Sequence, residues 1–288
     1  MKTRSSDEYT MVFDVETTGL FLKNKDISLL NIEDETNDRA PPRCHDRELC
    51  SLYDFRTPEK YPIRYNRIRC LNQQPYITQL SFIVINRKHE IVHAFNEYIN
   101  IPQDVEISSF ITNLTGITRE KCDSGILCED ALGEFVTWFL QCERIVAHNI
   151  EFDRTMIRIE MSRHQEVLSS EFPYINVVFN EHYDRITQLD HFDTMIRANK
   201  ICGIMVPKKS GEGTKLKPPK LIEMYKIFFQ HVPENLHNSI VDVLITMRCY
   251  LKVKYHRDID DLYFDDLINK SLKQSDIRGP MPQFLSAS

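Results

Sequence analysis

The sequence predicts an α/β fold, a mixed sheet with helices on its faces and a long insertion after the first strand. Three observations carry this. Three apolar runs of strand length, Thr10 to Glu16, Ile77 to Asn86 and Ile91 to Ile101, lie in about the first hundred residues. The second half alternates short strand-like runs with segments of helical period, and parallel strands need such crossovers. Between the first two strands, residues 23–74 are polar, irregular and carry Pro41, Pro42, Pro58 and Pro62. A stretch that long without elements of its own reads as an insertion.

Thr10 to Glu16 is an apolar run ending in alternating carboxylates and reads as a strand. Ile77 to Asn86 and Ile91 to Ile101 read as two strands joined by the polar turn Asn86 to Glu90, a hairpin. Asp130 to Cys142 places Leu132, Phe135, Val136, Phe139 and Leu140 at helical spacing. Arg144 to Ala147 is a short buried strand, Glu151 to His164 a helix, and His191 to Thr194 a fifth strand. Leu221 to Phe229 and Ser239 to Val253 are further helices, the second capped by Asn238 or Ser239. The chain after Tyr255 is acidic (Asp258, Asp260, Asp261, Asp265, Asp266), helical around Asp258 to Ile268, and is expected to end as a partly disordered polar tail. Two divisions follow: residues 1–255 as the main domain, and 256–288 as a C-terminal helix and tail.

With 288 residues, 42% hydrophobic and 27% charged, the chain is long enough for a sizeable core. No apolar run reaches the ~20 residues a bilayer demands. Met1 to Thr10 lacks the apolar segment of a secretory signal. The eight cysteines then read as reduced thiols, and an intracellular setting, cytoplasmic or nuclear, is expected. A net charge of −6 argues against a protein coated in basic patches. It leaves room for an acidic site whose charge is cancelled by bound cations.

Asp14 and Glu16 are two apart on a strand and so share a face. Side by side they repel, and a hard oxygen-binding cation removes that cost. Taken alone, the pair favours the plainer reading of a polar strand end near solvent. Asp153 falls in the first turns of the helix after Ala147, where an acid gains roughly 0.3–1 kcal/mol from the helix dipole. That too is sufficient for a lone residue. Asp242 lies about a turn into the helix that follows His237, and a lone histidine before a helix is more often structural than catalytic.

Together the three segments resemble a family. D-V-E-T-T-G-L at Asp14 to Leu20, H-N-x-x-F-D at His148 to Asp153 and H-x-x-x-x-D at His237 to Asp242 are similar to the three motifs of the DEDDh (DnaQ-like) 3′→5′ exonucleases. These include the proofreading epsilon subunit of bacterial DNA polymerase. Ile111 to Thr118, Phe192-Asp193-Thr194 and Lys217 to Phe229 resemble further family elements. The resemblance implies a ribonuclease H-like fold with a five-stranded mixed sheet. It implies that Asp14, Glu16, Asp153 and Asp242 hold two Mg²⁺ or Mn²⁺ ions and that His237 is the general base. Thr17, Leu20, Asn113 and Leu114 match positions that hold the terminal nucleotide, Leu20 and Leu114 by apolar contact with the base. His148, Asn149 and Phe152 match the scissile phosphate pocket. The implied reaction removes nucleoside 5′-monophosphates from DNA 3′ ends, in proofreading or repair, with a polymerase or replication protein as partner. An RNA exonuclease on the same fold is the alternative, since the motifs do not read the 2′-OH. A non-catalytic nucleic-acid-binding module is the alternative from another class.

Lys208, Lys209, Lys215, Lys217 and Lys220 cluster in a Gly/Pro-containing loop. It reads as solvated surface, or as an electrostatic guide for the phosphate backbone. In the insertion, Cys44, His45, Cys50 and Cys70 lack the paired C-x-x-C spacing of a zinc knuckle, so no zinc is expected there. Its Arg43, Arg47, Arg56, Arg64, Arg67 and Arg69 interleave with Tyr53, Phe55, Tyr61 and Tyr65, a composition suited to nucleic acid.

Overall fold

The computed structural model describes residues 8–21, 71, 74–209, 211–232, 236–281 and 285–286. β1 (Tyr9–Thr17) pairs antiparallel with β2 (Ile77–Ile85), and β2 with β3 (Ile91–Tyr98). β4 (Cys142–Ala147) lies parallel to β1 on its other side, and β5 (Asp190–Asp193) parallel to β4. The order is β3-β2-β1-β4-β5. The sheet is therefore five-stranded and mixed, with β1 at its centre.

Helices follow in chain order. α1 (Ser109–Thr115) and α2 (Arg119–Asp123) are short. α3 (Cys128–Phe139) precedes β4, and α4 (Ile150–Arg163) follows it. α5 (Gln165–Glu171) and α6 (Glu181–Thr187) lead to β5, and α7 (Thr194–Cys202) leaves it. A hairpin of β6 (Met205–Pro207) and β7 (Thr214–Leu216) precedes α8 (Leu221–Phe229). α9 (Ser239–Tyr255) and α10 (Asp261–Leu272) follow it.

The period-two alternation of β1 divides the core. Met11, Phe13 and Val15 join one cluster with Phe135 and Val136 of α3 and Met156 and Ile157 of α4. Phe13 meets Phe135 edge-on at 5.5 Å between ring centres. Burying each such ring contributes about 1.5–3 kcal/mol. Val12 faces the opposite way, into a cluster with α9, α8 and α10. Asp14 and Glu16 continue that even-numbered face. α9 is buried on nearly all sides from Ser239 to Leu251. It lies between the sheet and the outer helices α8 and α10, which explains its lack of a polar stripe.

Some boundaries move. The helix expected from Asp130 to Cys142 starts at Cys128 and stops at Phe139, because Cys142 already pairs with Tyr9 in the sheet. The strand expected to run to Ile101 ends at Tyr98. The expected cap of α9 is also corrected. Asn238 occupies the N-cap without a side-chain cap bond, and the Ser239 hydroxyl donates instead to the Asp14 carbonyl at 2.9 Å. Within the tail after α10, described residues pack on the fold. Ile277 and Met281 are buried, and Gly279 exchanges both backbone hydrogen bonds with Ile91 at the sheet edge (3.0 and 2.9 Å). Part of the acidic run is structural too. Asp258 and Asp261 bind the buried Arg248 of α9, at 2.9 and 2.6 Å.

Most of the insertion, with Cys44, His45, Cys50, Cys70 and the interleaved arginines and tyrosines, lies outside the described residues. Its return to the sheet is anchored by Arg163, whose guanidinium donates to the carbonyls of Leu71, Gln74 and Pro75.

Candidate active site

Three chain segments converge at the C-terminal end of β1. Asp14 and Glu16 stand opposite Ser81 and Gln79 of β2. α9 covers this face, and the Ser239 bond to the Asp14 carbonyl fixes its first turn there. Asp242 follows within that turn. Asp153 approaches from the first turn of α4, and its Oδ1 accepts the Val15 amide at 3.1 Å. Glu16, His237 and Asp242 present ligand atoms within 4.8 Å of one another. His237 is exposed at the mouth and adopts a left-handed backbone, φ 63°.

The electrostatics are those of crowded acids without compensation. Burial pushes Asp14 up to about 7 against the opposing effect of its Ser239 hydrogen bond. Burial, then the neighbouring Asp14, Asp242 and Asp153, push Glu16 up to about 10. Burial and the Asp14 charge hold Asp153 and Asp242 well above the usual carboxylate range. Asp14 Oδ2 and Asp242 Oδ1 are buried without a hydrogen-bond partner. Orphaned oxygens of this kind are costly, and a hard divalent cation, which takes oxygen ligands, fits the donor set.

The helix that delivers Asp153 is held by a residue whose role the sequence did not disclose. Asn149 occupies the N-cap of α4 in a left-handed conformation with no side-chain cap bond. The Asp193 carboxylate does the capping from β5. It accepts the amides of Asn149 and Ile150 at 3.1 and 3.2 Å, and those of Met195 and Ile196 of α7 at 2.9 and 3.3 Å. One acid thus caps two helices. The only local signal was the Asp-Thr pair ahead of a helical segment.

The remaining expected site residues separate into two groups. His148 has both ring nitrogens engaged by protein, Nδ1 with Thr194 Oγ1 at 3.0 Å and Nε2 with the Pro219 carbonyl at 3.1 Å. Its nitrogens brace β4 against α7 and the approach to α8. Thr17 is also turned inward, donating to the Gly19 carbonyl at 2.6 Å. In contrast, Leu20, Asn113, Leu114 and Asn149 are exposed. Phe152 is half-buried, with its ring 5.9 Å from that of Phe21. The turn bearing Leu20 is pinned to the residue preceding β2 by paired bonds between Thr18 and Tyr76. Tyr76 packs on the Ile101–Ile117–Cys122 cluster, which carries the chain leaving α1, so the turn and α1 share a support.

The RNase_T family, described as exonuclease, matches residues 68–250. The chain belongs to the RNase_T exonuclease family. The match begins after β1, yet the structure returns β1, with Asp14 and Glu16, to the centre of this family member's sheet. The RNase_T chain is 38% identical over 82 residues to DNA polymerase III PolC-type from Caldanaerobacter subterraneus subsp. tengcongensis, a segment covering 28% of this chain and 6% of that protein. A crystal structure of E. coli exonuclease I in complex with a dT13 oligonucleotide is similar at a TM-score of 0.50 and 13% identity. The likeness covers 91% of this chain and 44% of that one. The RNase_T chain thus spans less than half of the exonuclease it matches in fold. The ribonuclease H-like exonuclease fold expected from the sequence is the fold observed. Among the described residues, no helix is long and apolar enough to cross a membrane.

Proposed function

We propose that this protein is a divalent-cation-dependent 3′→5′ exonuclease that hydrolyses the terminal phosphodiester of DNA and releases nucleoside 5′-monophosphates. The observation that carries the proposal is the convergence of Asp14, Glu16, Asp153 and Asp242 from three segments, with orphaned oxygens on Asp14 and Asp242.

In this reading the four carboxylates hold two Mg²⁺ or Mn²⁺ ions. When bound, such ions polarise the phosphate, acidify water and stabilise a leaving oxyanion. The chain's own residues do the rest. His237, exposed beside Glu16 and Asp242, accepts the proton of the attacking water. The new P–O bond forms as the bond to the 3′ oxygen of the preceding nucleotide breaks, and that oxygen leaves to be protonated. Asp193 keeps α4 in register so that Asp153 faces β1. The exposed Leu20 and Leu114 offer apolar surface to the terminal base, which reads no sequence. Asn113 and Thr17 lie on the same two supporting segments, and Asn149 and Phe152 flank Asp153 at the phosphate. His148 supports that pocket through its braces to Thr194 and Pro219.

DNA as substrate, and work alongside a polymerase in proofreading or repair, draw on the similarity to a PolC-type DNA polymerase III. The test uses matched 5′-labelled DNA and RNA oligonucleotides with Mg²⁺, Mn²⁺ or EDTA. The expected result is a ladder shortening from the 3′ end, faster on DNA and abolished by EDTA, by Asp14→Ala and by His237→Ala. A faster RNA ladder would reassign the substrate. No ladder with any metal would overturn the catalytic reading.

A further inference from the structure

A second group of ligand-bearing side chains lies at the other end of α4. Cys128 opens α3, while Glu160 and the C-cap His164 sit one turn apart where α4 ends. Glu160 is seven residues beyond Asp153, roughly 10 Å along the helix axis. A Glu160 oxygen, the Cys128 Sγ and a His164 ring nitrogen lie within 4.8 Å of one another.

The two oxygens of Glu160 have different surroundings. Oε1 accepts the Ile77 amide at 2.9 Å and Arg163 Nη1 at 2.6 Å. Oε2 is buried with no hydrogen-bond partner, in a residue only 1% exposed. Its ionic neighbour is His164 Nε2 at 3.7 Å. Across the same ring, His164 Nδ1 lies 2.8 Å from Glu129 Oε1. When Nδ1 carries the proton towards Glu129, the Nε2 lone pair faces Glu160 Oε2. Two lone pairs and a sulfur then converge on one point, beside a cleft of about 650 Å³ lined by Tyr76, Glu129, Arg163 and these three side chains.

We propose that Cys128, Glu160 and His164 form a site for one zinc-class divalent cation, separate from the carboxylate centre. The chemistry selects the metal. Sulfur, imidazole and carboxylate together suit zinc, whereas magnesium takes oxygen alone. Glu129 behind His164 is the carboxylate–histidine pairing that orients metal-binding imidazoles. The charges also close. The Cys128 thiolate, Glu129 and Glu160 carry three negative charges and Arg163 one positive, a remainder that a divalent cation cancels. Burial, then the Glu160 and Glu129 charges, hold the Cys128 thiol well above its ordinary range, so metal uptake displaces its proton. The cation ties the start of α3 to the end of α4. Arg163, the residue before His164, clamps the carbonyls of Leu71, Gln74 and Pro75. The site therefore stiffens the root where the insertion rejoins β2.

The test titrates chelator-washed, full-length protein with Co²⁺ and follows the thiolate-to-cobalt charge-transfer band, which an all-carboxylate centre cannot produce. The expected result is one saturating band, displaced by Zn²⁺ and retained in Asp14→Asn. Cys128→Ser and His164→Gln should each lose it while keeping wild-type circular dichroism. Glu129→Gln should weaken zinc binding by about 10–100-fold. If Cys128→Ser does not fold, His164→Gln, at a half-buried position, decides alone. Absence of the band in wild type, or an unaltered band in His164→Gln, overturns the proposal whatever the nuclease assay shows.

Discussion

The Val15 amide donates to Asp153 Oδ1 across 3.1 Å, joining residues 138 positions apart. A strand amide that would otherwise be orphaned is satisfied by a carboxylate of the candidate centre. Asp153→Asn retains an oxygen acceptor for Val15 and removes one charge from the crowded acids. The expected outcome is loss of nuclease activity with metal-free thermal stability unchanged or raised. Asp153→Ala leaves the amide unpaired, at a cost of about 1–3 kcal/mol, so its Tm should fall below that of Asp153→Asn. Equal Tm values for the two variants would show that the bond contributes nothing.

Metal removal should make stability depend on pH. Asp14 rises from 3.8 to about 7 and Glu16 from 4.5 to about 10 on folding. Over that window the folded protein holds protons the unfolded chain has released, so stability falls as pH rises. The slope is at most about 1.4 kcal/mol per pH unit for each proton. In EDTA, Tm should drop between about pH 5 and pH 8, and Mg²⁺ should restore more at the upper end. Glu16→Gln should flatten the slope. A Tm in EDTA that is flat across the range would contradict the crowding of these acids.

His237 separates chemistry from folding. It is exposed, and its left-handed backbone is one that asparagine tolerates well. His237→Asn should therefore keep the wild-type Tm while the turnover rate falls by about 10²–10⁴-fold. A rate within a few-fold of wild type would remove it from the proton transfer.

Asp193 tests positioning. Asp193→Ala removes the caps of α4 and α7 together, at about 0.5–2 kcal/mol for each. Stability should fall, and activity should fall further than a Tm-matched control variant because Asp153 loses its fixed approach. Asp193→Asn should recover part of both. Activity tracking Tm alone would make Asp193 a purely structural residue.

The basic hairpin yields a salt-dependence test. Lys217 is already paired with Glu223, at 2.6 Å, leaving Lys208, Lys209 and Lys215 exposed on β6–β7 and its loop. Replacing these three with alanine should reduce the slope of log affinity against log salt by about 0.7 for each single-strand phosphate no longer neutralised. An unchanged slope would make the hairpin ordinary solvated surface.

Arg248 illustrates what tertiary packing adds. It is 2% exposed, binds Asp258, Asp261 and the Tyr225 hydroxyl, and lies 4.0 Å from the Phe229 ring centre. In the sequence it is one charge inside an apolar helix, and its partners look like a solvated acidic run. Only the settling of α8, α10 and the segment before α10 on α9 gathers them around the buried guanidinium.

The same division runs through the whole molecule. By itself, the sequence determined the succession of β1 to β5 along the chain, the α3, α4, α8 and α9 helices and, through the family resemblance, the residues of the acidic cluster. Those signals are local, because periods of 2 and 3.6 and short motifs survive in any one segment. Tertiary structure alone decided that Asp193 caps α4, that Ser239 binds the Asp14 carbonyl, that His148 is spent on bracing, and that Cys128, Glu160 and His164 meet. Each of these joins segments distant in the chain. Its partners are chosen by how helices settle on the sheet, and no spacing within one segment encodes that choice.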